Sequence, residues 1–459
     1  MDQAAGTPYL RQGLAASAGP FWPGEHPFTP LRTIEGSMIV VRDGIARHFW
    51  WHRRSRGGTD LADIETRRGS PRPCGGGFMV MTAASEGDHR VQHYARFWQA
   101  EDPLADAVAA AFAERAAGGG RAMLETALDR GIGAVDDPPP ALVALFRQLD
   151  EVPYWVDWDR IDRGSAAFLR TGLLGMAVLN LFCLPIMYYS PCGNKPLVFT
   201  GNLLKRAPRR LAETGRFVLE CSRPDGLRRF SDGFKTNVKV RLMHAQVRRL
   251  LRRSGRWNPK WGAPVNQLYM AGTNVALSAG LIEGLERLGY RMGAADVEAL
   301  LHLWRYTGYI SGIAPELQIS TREEGRHLGE LIHQLEGQPD DDSRALITAL
   351  MSSSYHPRLE GATWTQKINY GVSRKLIGNE LADDLGYPRS HWGWTVSLAR
   401  PMAGSLGLIH RYVPLLRSAA PRWGDRTWDF MLDLIMGGSK ADYHAPAHLA
   451  RPAPEEKAA

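Results

Sequence analysis

Cysteine is scarce in this chain: four in 459 residues, at Cys74, Cys183, Cys192 and Cys221. No Cys-x-x-Cys pair occurs, which excludes a zinc ribbon and a thioredoxin-like site. So few cysteines in so long a chain make no disulfide framework, and a reducing compartment is expected. Nucleotide and hydrolase signatures are missing too. There is no G-x-G-x-x-G, no G-x-x-x-x-G-K-[ST] and no G-x-S-x-G opening a helix, so neither nucleotide binding nor serine hydrolase chemistry has a foothold. The first residues, Met1 to Pro8, lack the charged and apolar regions of a signal peptide and carry no twin arginine. The expected location is therefore cytoplasmic.

Long apolar runs are few. Gly172 to Tyr189 is uncharged and about long enough to span a bilayer, but Asn180 and Pro185 interrupt it. The expectation is a buried core helix, with peripheral membrane contact kept as a partner class. Strand signals are sparse: alternation is rare and no Asn-Gly or Asp-Gly hairpin turn is expected between apolar runs. The fold class expected is all-α.

What is present is apolar and mildly basic. Hydrophobic residues make up 44% of the chain, with 14 tryptophans and a net charge of +8, enough to bury a large core. Arg248, Arg249, Arg252, Arg253, Arg256 and Lys260 crowd one stretch. With no nucleic-acid-binding motif beside them, they read as a solvated helix end plus charges facing a cofactor, not a nucleic-acid site.

Three regions follow from the composition. Residues 1–92 are Pro/Gly-rich around the knot His48-Phe49-Trp50-Trp51-His52-Arg53-Arg54 and read as an irregular arm. Residues 93–436 carry amphipathic helical periodicity, and 437–459 form a Pro/Ala-rich tail. Helices are expected near 105–117, 141–151, 160–184, 203–221, 232–253, 266–288, 294–313, 322–335 and 341–351. Three more fall near 361–385, 391–415 and 425–436.

In the 232–253 segment, Val240, His244, Val247 and Leu251 share one stripe at i, i+4, i+7 and i+11, with Arg241, Arg248 and Arg249 beside it. A neutral imidazole on an apolar helical face is what a proximal haem ligand requires, and flanking arginines can pair with propionates. The missing Cys-x-x-Cys-His excludes ordinary covalent c-type attachment. In the 203–221 segment, Arg210 and Thr214 stand at i, i+4, a cation and a hydroxyl on an apolar stripe that call for an anionic or polar partner.

Other histidines carry less. Glu324-x2-His327 and Glu330-x2-His333 are the steps of a helical di-iron site, but six residues turn a helix by about 600°, so they point apart. The pairs His48/His52, His89/His93 and His444/His448 lack H-E-x-x-H and read as surface histidines. His302, beside Trp304 and Arg305, is the rival of His244 for iron; the expected role is packing, or support of a ligand from behind.

One ordered set of motifs runs through the chain: Tyr154-Trp155-Val156-Asp157-Trp158, Thr200-Gly201-Asn202-Leu203, Arg210-x3-Thr214, Val240-Arg241-Leu242-Met243-His244-Ala245, Trp257, Gly262-x-Pro264-x-Asn266-Gln267 and His302-Leu303-Trp304-Arg305-Tyr306-x-Gly308-Tyr309. Together they resemble the superfamily of latex-clearing proteins (rubber oxygenases) and mpaB-type oxygenases, over about residues 93 to 435. The resemblance implies a globin-like helical core holding non-covalent haem b, with dioxygen as co-substrate. It implies His244 as axial iron ligand, Arg210 and Thr214 in the pocket, and cleavage of isoprenoid double bonds to aldehyde and ketone ends. Arg241 and Arg248 are the residues expected at the propionates. Where latex-clearing members carry a lysine before that threonine, this chain has Glu213, and the export signal of those members is missing; both bear on polyisoprene as the substrate. Glu213 is the candidate base at an allylic C–H. The expected function is a haem b oxygenase acting on an apolar, isoprenoid-type alkene. The alternatives are a non-catalytic haem or gas-binding protein, and a metal-free scaffold whose basic face binds a membrane or partner.

Overall fold

The computed structural model describes residues 37–42, 45–50, 89–115, 118–199, 203–352, 363–437, 439, 441 and 443. The chain divides into two units, Met1–Arg72 and Pro73–Ala459. In the first, β1 (Ser37–Arg42) and β2 (Ile45–Trp50) form an antiparallel hairpin in register Ser37↔Trp50 to Arg42↔Ile45. The arm is expected to hold only short elements, and these two six-residue strands are such elements. The expectation that no Asp-Gly turn stands between apolar runs is corrected here: Asp43-Gly44, a dipeptide that favours such hairpins, separates Val40-Val41 from Ile45. The rest of the expected arm up to residue 88, and the tail from residue 444, lie outside the described residues.

The second unit is all-α among the described residues. Its helices are α1 (His89–Ala95), α2 (Pro103–Ala113), α3 (Gly119–Arg130), α4 (Pro140–Asp150) and α5 (Trp158–Leu169). Then come α6 (Gly172–Val178), a π turn (Leu179–Cys183), α7 (Leu184–Tyr188), α8 (Lys195–Phe199), α9 (Leu203–Cys221) and α10 (Asp232–Arg253). They are followed by α11 (Gln267–Val275), a second π turn (Ala276–Gly280), α12 (Leu281–Arg287), α13 (Ala294–Ile310), α14 (Arg322–Leu335) and α15 (Asp341–Ser352). The last are α16 (Thr363–Ile377), α17 (Asn379–Asp384), α18 (Trp394–Tyr412) and α19 (Pro414–Met436).

Local chemistry sets the helix starts. Asp102 caps α2 by accepting from the Ala105 amide at 3.2 Å, with Pro103 next in line, and Asp157 caps α5 through the Arg160 amide at 3.1 Å. Thr321 and Glu324 form a reciprocal capping box on α14. The long apolar segment bends by 85° between α5 and α6, where Gly172 takes φ +50. Met176, Val178, Leu179, Phe182 and Cys183 beyond the bend are buried, the core helix expected there. No single helix among the described residues is long and apolar enough to cross a membrane.

The central packing is α5 against α13. At Gly164 the backbones come so close that a Cβ would stand 2.3 Å from the Ala299 carbonyl oxygen. Around this pair the core collects Phe146, Phe168, Phe182, Phe234, Trp304, Tyr306 and Trp428, all almost wholly buried. Residues α9 and α10 form an antiparallel hairpin: Thr236 Oγ1 donates to the Glu220 carboxylate, and Cys221 Sγ lies 3.6 Å from the Gly233 carbonyl oxygen. That hairpin positions the candidate site.

Candidate functional site

On α10 the fully packed face runs Phe234, Val238, Arg241, Leu242, Ala245, Arg248 and Leu251. His244 lies just off this row, on a half-buried stripe with Val240. Its Nδ1 is buried and has no hydrogen-bond partner among the described residues. Burial first, then the Arg248 cation one turn on, push its pKa down to about 4, against a smaller upward pull from Asp102. The imidazole is therefore neutral at physiological pH, with a lone pair free to bind a Lewis acid.

The other pocket residues line up on α9. From the Glu220–Thr236 contact the two helices run back side by side at about 1.5 Å per residue. Thr214, His244 and Arg210 then lie roughly 9, 12 and 15 Å from that contact, so the α9 pair brackets the level of His244. Arg210 is half-buried and donates to the Leu197 carbonyl on α8 at 3.2 Å; Thr214 is exposed. Beside them, Phe199, Trp257 and Trp261 form an aromatic cluster with ring centroids 5.2–6.0 Å apart. Trp261 Nε1 is another buried donor without a partner.

The two arginines expected at propionates behave differently. Arg241 is taken up inside the protein: Nε donates to Asp102 Oδ2 at 2.6 Å and Nη2 to Oδ1 at 3.0 Å. Its Nη1 reaches Gln148 Oε1 at 2.7 Å and the Ile310 carbonyl at 3.1 Å. All three guanidinium nitrogens are engaged, so Arg241 ties α10 to the start of α2 inside the core. Arg248 donates from Nε to Asp106 at 2.7 Å and from Nη1 to the Val265 carbonyl at 3.2 Å, yet its Nη2 is buried without a partner. It keeps one donor for an anion.

Glu213 accepts from Arg209 Nε at 2.9 Å, one turn back on α9. Glu213, the candidate base, is thus held in a helix ion pair with Arg209. His302 Nε2 accepts from the Asp157 amide at 3.0 Å, and its ring stands edge-on to Trp155. Both contacts pack it between α13 and the start of α5. Glu324 caps α14, His327 pairs with Glu323, and His333 packs on Tyr189. His89 and His93 do fall on a short helix, whereas His52, His444 and His448 lie outside the described residues.

Among the described residues no three His, Cys, Asp or Glu side chains gather as a metal set. A lone neutral imidazole suits a metal that brings its other ligands with it, as a porphyrin does. The buried Nδ1 of His244, the spare Nη2 of Arg248 and the aromatic cluster fit that group. The cavity of about 410 Å³ bounded by Trp158, Arg228, Arg229, Phe234 and Tyr306 sits at the other end of α10 and does not include His244.

Several motif residues turn out to build corners. Gly262, at φ +78, lies where a Cβ would meet the Trp98 ring at 2.4 Å, and its carbonyl accepts from Trp257 Nε1 at 2.9 Å. Gln267 bridges the Glu101 and Gly312 carbonyls and the Ala314 amide. Thr200-Gly201-Asn202 lies outside the described residues. Sequence reasoning missed Asp102 and Asp106, the partners that sort the two arginines. It also missed Lys195, which is buried and bonded to Asp340 at 2.6 Å and to Asp342.

The family model described as "ER-bound oxygenase mpaB/B'/Rubber oxygenase, catalytic domain" matches residues 158–411. A rubber oxygenase from Streptomyces sp. (strain K30) is 24% identical over 259 residues, covering 54% of this chain and 61% of that relative. The chain therefore matches about six-tenths of the relative's length. Among solved structures, latex clearing protein in the closed state aligns with a TM-score of 0.53 at 19% identity, over 73% of this chain and 91% of that one. That last likeness is one of fold.

Proposed function

The chain belongs to the mpaB and rubber oxygenase family, and on that premise we propose that it is a haem b-dependent oxygenase acting on an apolar, isoprenoid-type alkene. The net reaction adds both atoms of dioxygen across one C=C bond and splits it, leaving a ketone and an aldehyde. The observation that carries this reading is the buried, neutral and unpartnered Nδ1 of His244. Haem, when bound, supplies the activation of dioxygen.

The remaining work falls to the side chains. His244 would hold the iron through one imidazole nitrogen, and its low basicity keeps protons from competing for that lone pair. Asp106 and the Val265 carbonyl fix the Arg248 guanidinium, whose unpartnered Nη2 would be the donor for an anionic group of the cofactor. On α9, Arg210 and the Thr214 hydroxyl offer donors at the level of His244.

The test is the absorbance spectrum and pyridine haemochrome of the purified protein, for wild type and His244→Ala. A Soret band at about one haem b per chain, lost or shifted in the variant, supports the reading. A wild type that is colourless and refuses added haemin overturns it. Haem-loaded protein incubated with a polyisoprenoid under air should then yield carbonyl products; haem retention without product would reassign the protein as a haem or gas binder.

A further inference from the structure

The oxygenase reading leaves unused the cavity between the end of α4 and the starts of α5 and α10. Its volume of about 410 Å³ lies within the range of roughly 300–1,000 Å³ that small-molecule sites occupy. Leu149 and Phe234, both almost wholly buried, belong to its apolar lining, and Val152, 49% exposed, marks its mouth. Phe234 stands ten residues before His244, about 15 Å along α10, so the cavity is distinct from the haem site.

Tyr306 supplies the polar group. It lines the cavity and is only 2% exposed, and its hydroxyl makes no hydrogen bond among the described residues. The contrast is Tyr309, stacked beside it with ring centroids 6.0 Å apart. Tyr309 directs its own hydroxyl at the Gln148 and Glu151 carbonyls, 2.7 and 2.9 Å away. A nearly buried hydroxyl without a partner is unfavourable, and a ligand oxygen in the cavity would satisfy it. Burial pushes the Tyr306 pKa up to about 12, so the group stays protonated and acts as a donor.

The charges that line the cavity are already paired. Arg229 donates to Asp150 at 2.6 Å and to the Ala127 carbonyl at 3.0 Å. Arg228 donates to Asp225 at 2.5 Å, and its guanidinium carbon lies 4.5 Å from the Trp158 ring centroid. An ion entering here would lose water without meeting a free opposite charge, which favours a neutral ligand. The loop that carries both arginines is strained: Phe230 takes φ +75, a conformation bulky side chains rarely adopt and one that collects at ligand sites.

We propose that this cavity binds a neutral, mostly apolar small molecule with one acceptor oxygen of the ketone or ester class. The oxygen sits on the Tyr306 hydroxyl and the apolar body lies against Leu149, Val152, Trp158 and Phe234. The site does not depend on the haem reading. Fluorescence titration of the full chain tests it, with 6-propionyl-2-dimethylaminonaphthalene, a neutral aromatic ketone, beside 2-dimethylaminonaphthalene, which lacks the carbonyl. The ketone should bind saturably at about one per chain, and His244→Ala should bind it equally. Tyr306→Phe removes only the hydroxyl, so ketone affinity should fall by roughly three- to tenfold while the carbonyl-free ring binds as in wild type. Val152→Glu, at an exposed position, should weaken both probes by about tenfold or more. Absence of saturable ketone binding overturns the proposal and leaves Tyr306 to an ordered water. Binding that survives both variants overturns it, as does an equal loss of the two probes in Tyr306→Phe. Loss of binding in His244→Ala would overturn it by moving the probe to the haem site.

Discussion

Asp102 holds Arg241 with both carboxylate oxygens, at 2.6 Å to Nε and 3.0 Å to Nη2, and both side chains are almost wholly buried. Asp102 also caps α2, so one carboxylate ties the start of α2 to the middle of α10. Breaking such a pair from one side strands a charge without water. Arg241→Met is therefore expected to cost about 3–5 kcal/mol, read from the urea midpoint. The fraction that remains folded should bind haem as wild type does. A variant of ordinary stability with weakened haem binding would return Arg241 to the cofactor.

Arg248 is the contrasting case, four residues further on. Two of its donors are fixed and the third is unfilled, so its geometry is set before any anion arrives. Arg248→Lys keeps the charge and discards the fork, which a carboxylate reads as the loss of a directed donor. Haemin titration of the apoprotein should show affinity weakened by roughly tenfold, equal to about 1.4 kcal/mol, with the Soret position held because His244 is untouched. Unchanged affinity would mean that the spare donor faces no propionate.

These two arginines also mark what the sequence made legible. Their position beside His244 is readable from helical spacing, and the bounds of α9, α10 and α14 coincide with the expected ones because polar starts and steady apolar periodicity frame each of them. Which arginine is spent inside the fold is not readable, since the counter-ion of Arg241 lies 139 residues away in sequence. Helix α3 was missed for a local reason. It opens at Gly118-Gly119-Gly120, which reads as a loop, whereas Gly120 packs where a Cβ would strike the Phe112 ring at 2.4 Å. The 85° break at Gly172 splits one expected helix in two, and it depends on a positive φ that any glycine can take but need not.

Glu213 gives a prediction with two separable outcomes. Its partner Arg209 is half exposed, and exposed helix pairs contribute little. Glu213→Gln should lower stability by less than about 1 kcal/mol and leave alkene turnover unchanged. Turnover lost while haem stays bound would restore Glu213 as a base.

Glu336, at the end of α14, supplies the pH dependence. Burial pushes its pKa up to about 7 from an ordinary 4.5, and the Ser190 side chain offsets this only in part. Between those two values the folded chain holds a proton that the unfolded chain has released. Stability from this group is therefore intact below pH 4.5 and lost as pH rises through 7, by at most about 3 kcal/mol. Glu336→Gln keeps the neutral, hydrogen-bonding shape and cannot ionise. The difference between wild type and variant cancels every other titrating group, so urea midpoints across pH 5 to 8 isolate the effect. The variant should gain on wild type as pH rises from 5 to about 7 and level off above that, and a difference that stays constant from pH 5 to 7 would place an ionised Glu336 in the folded protein throughout.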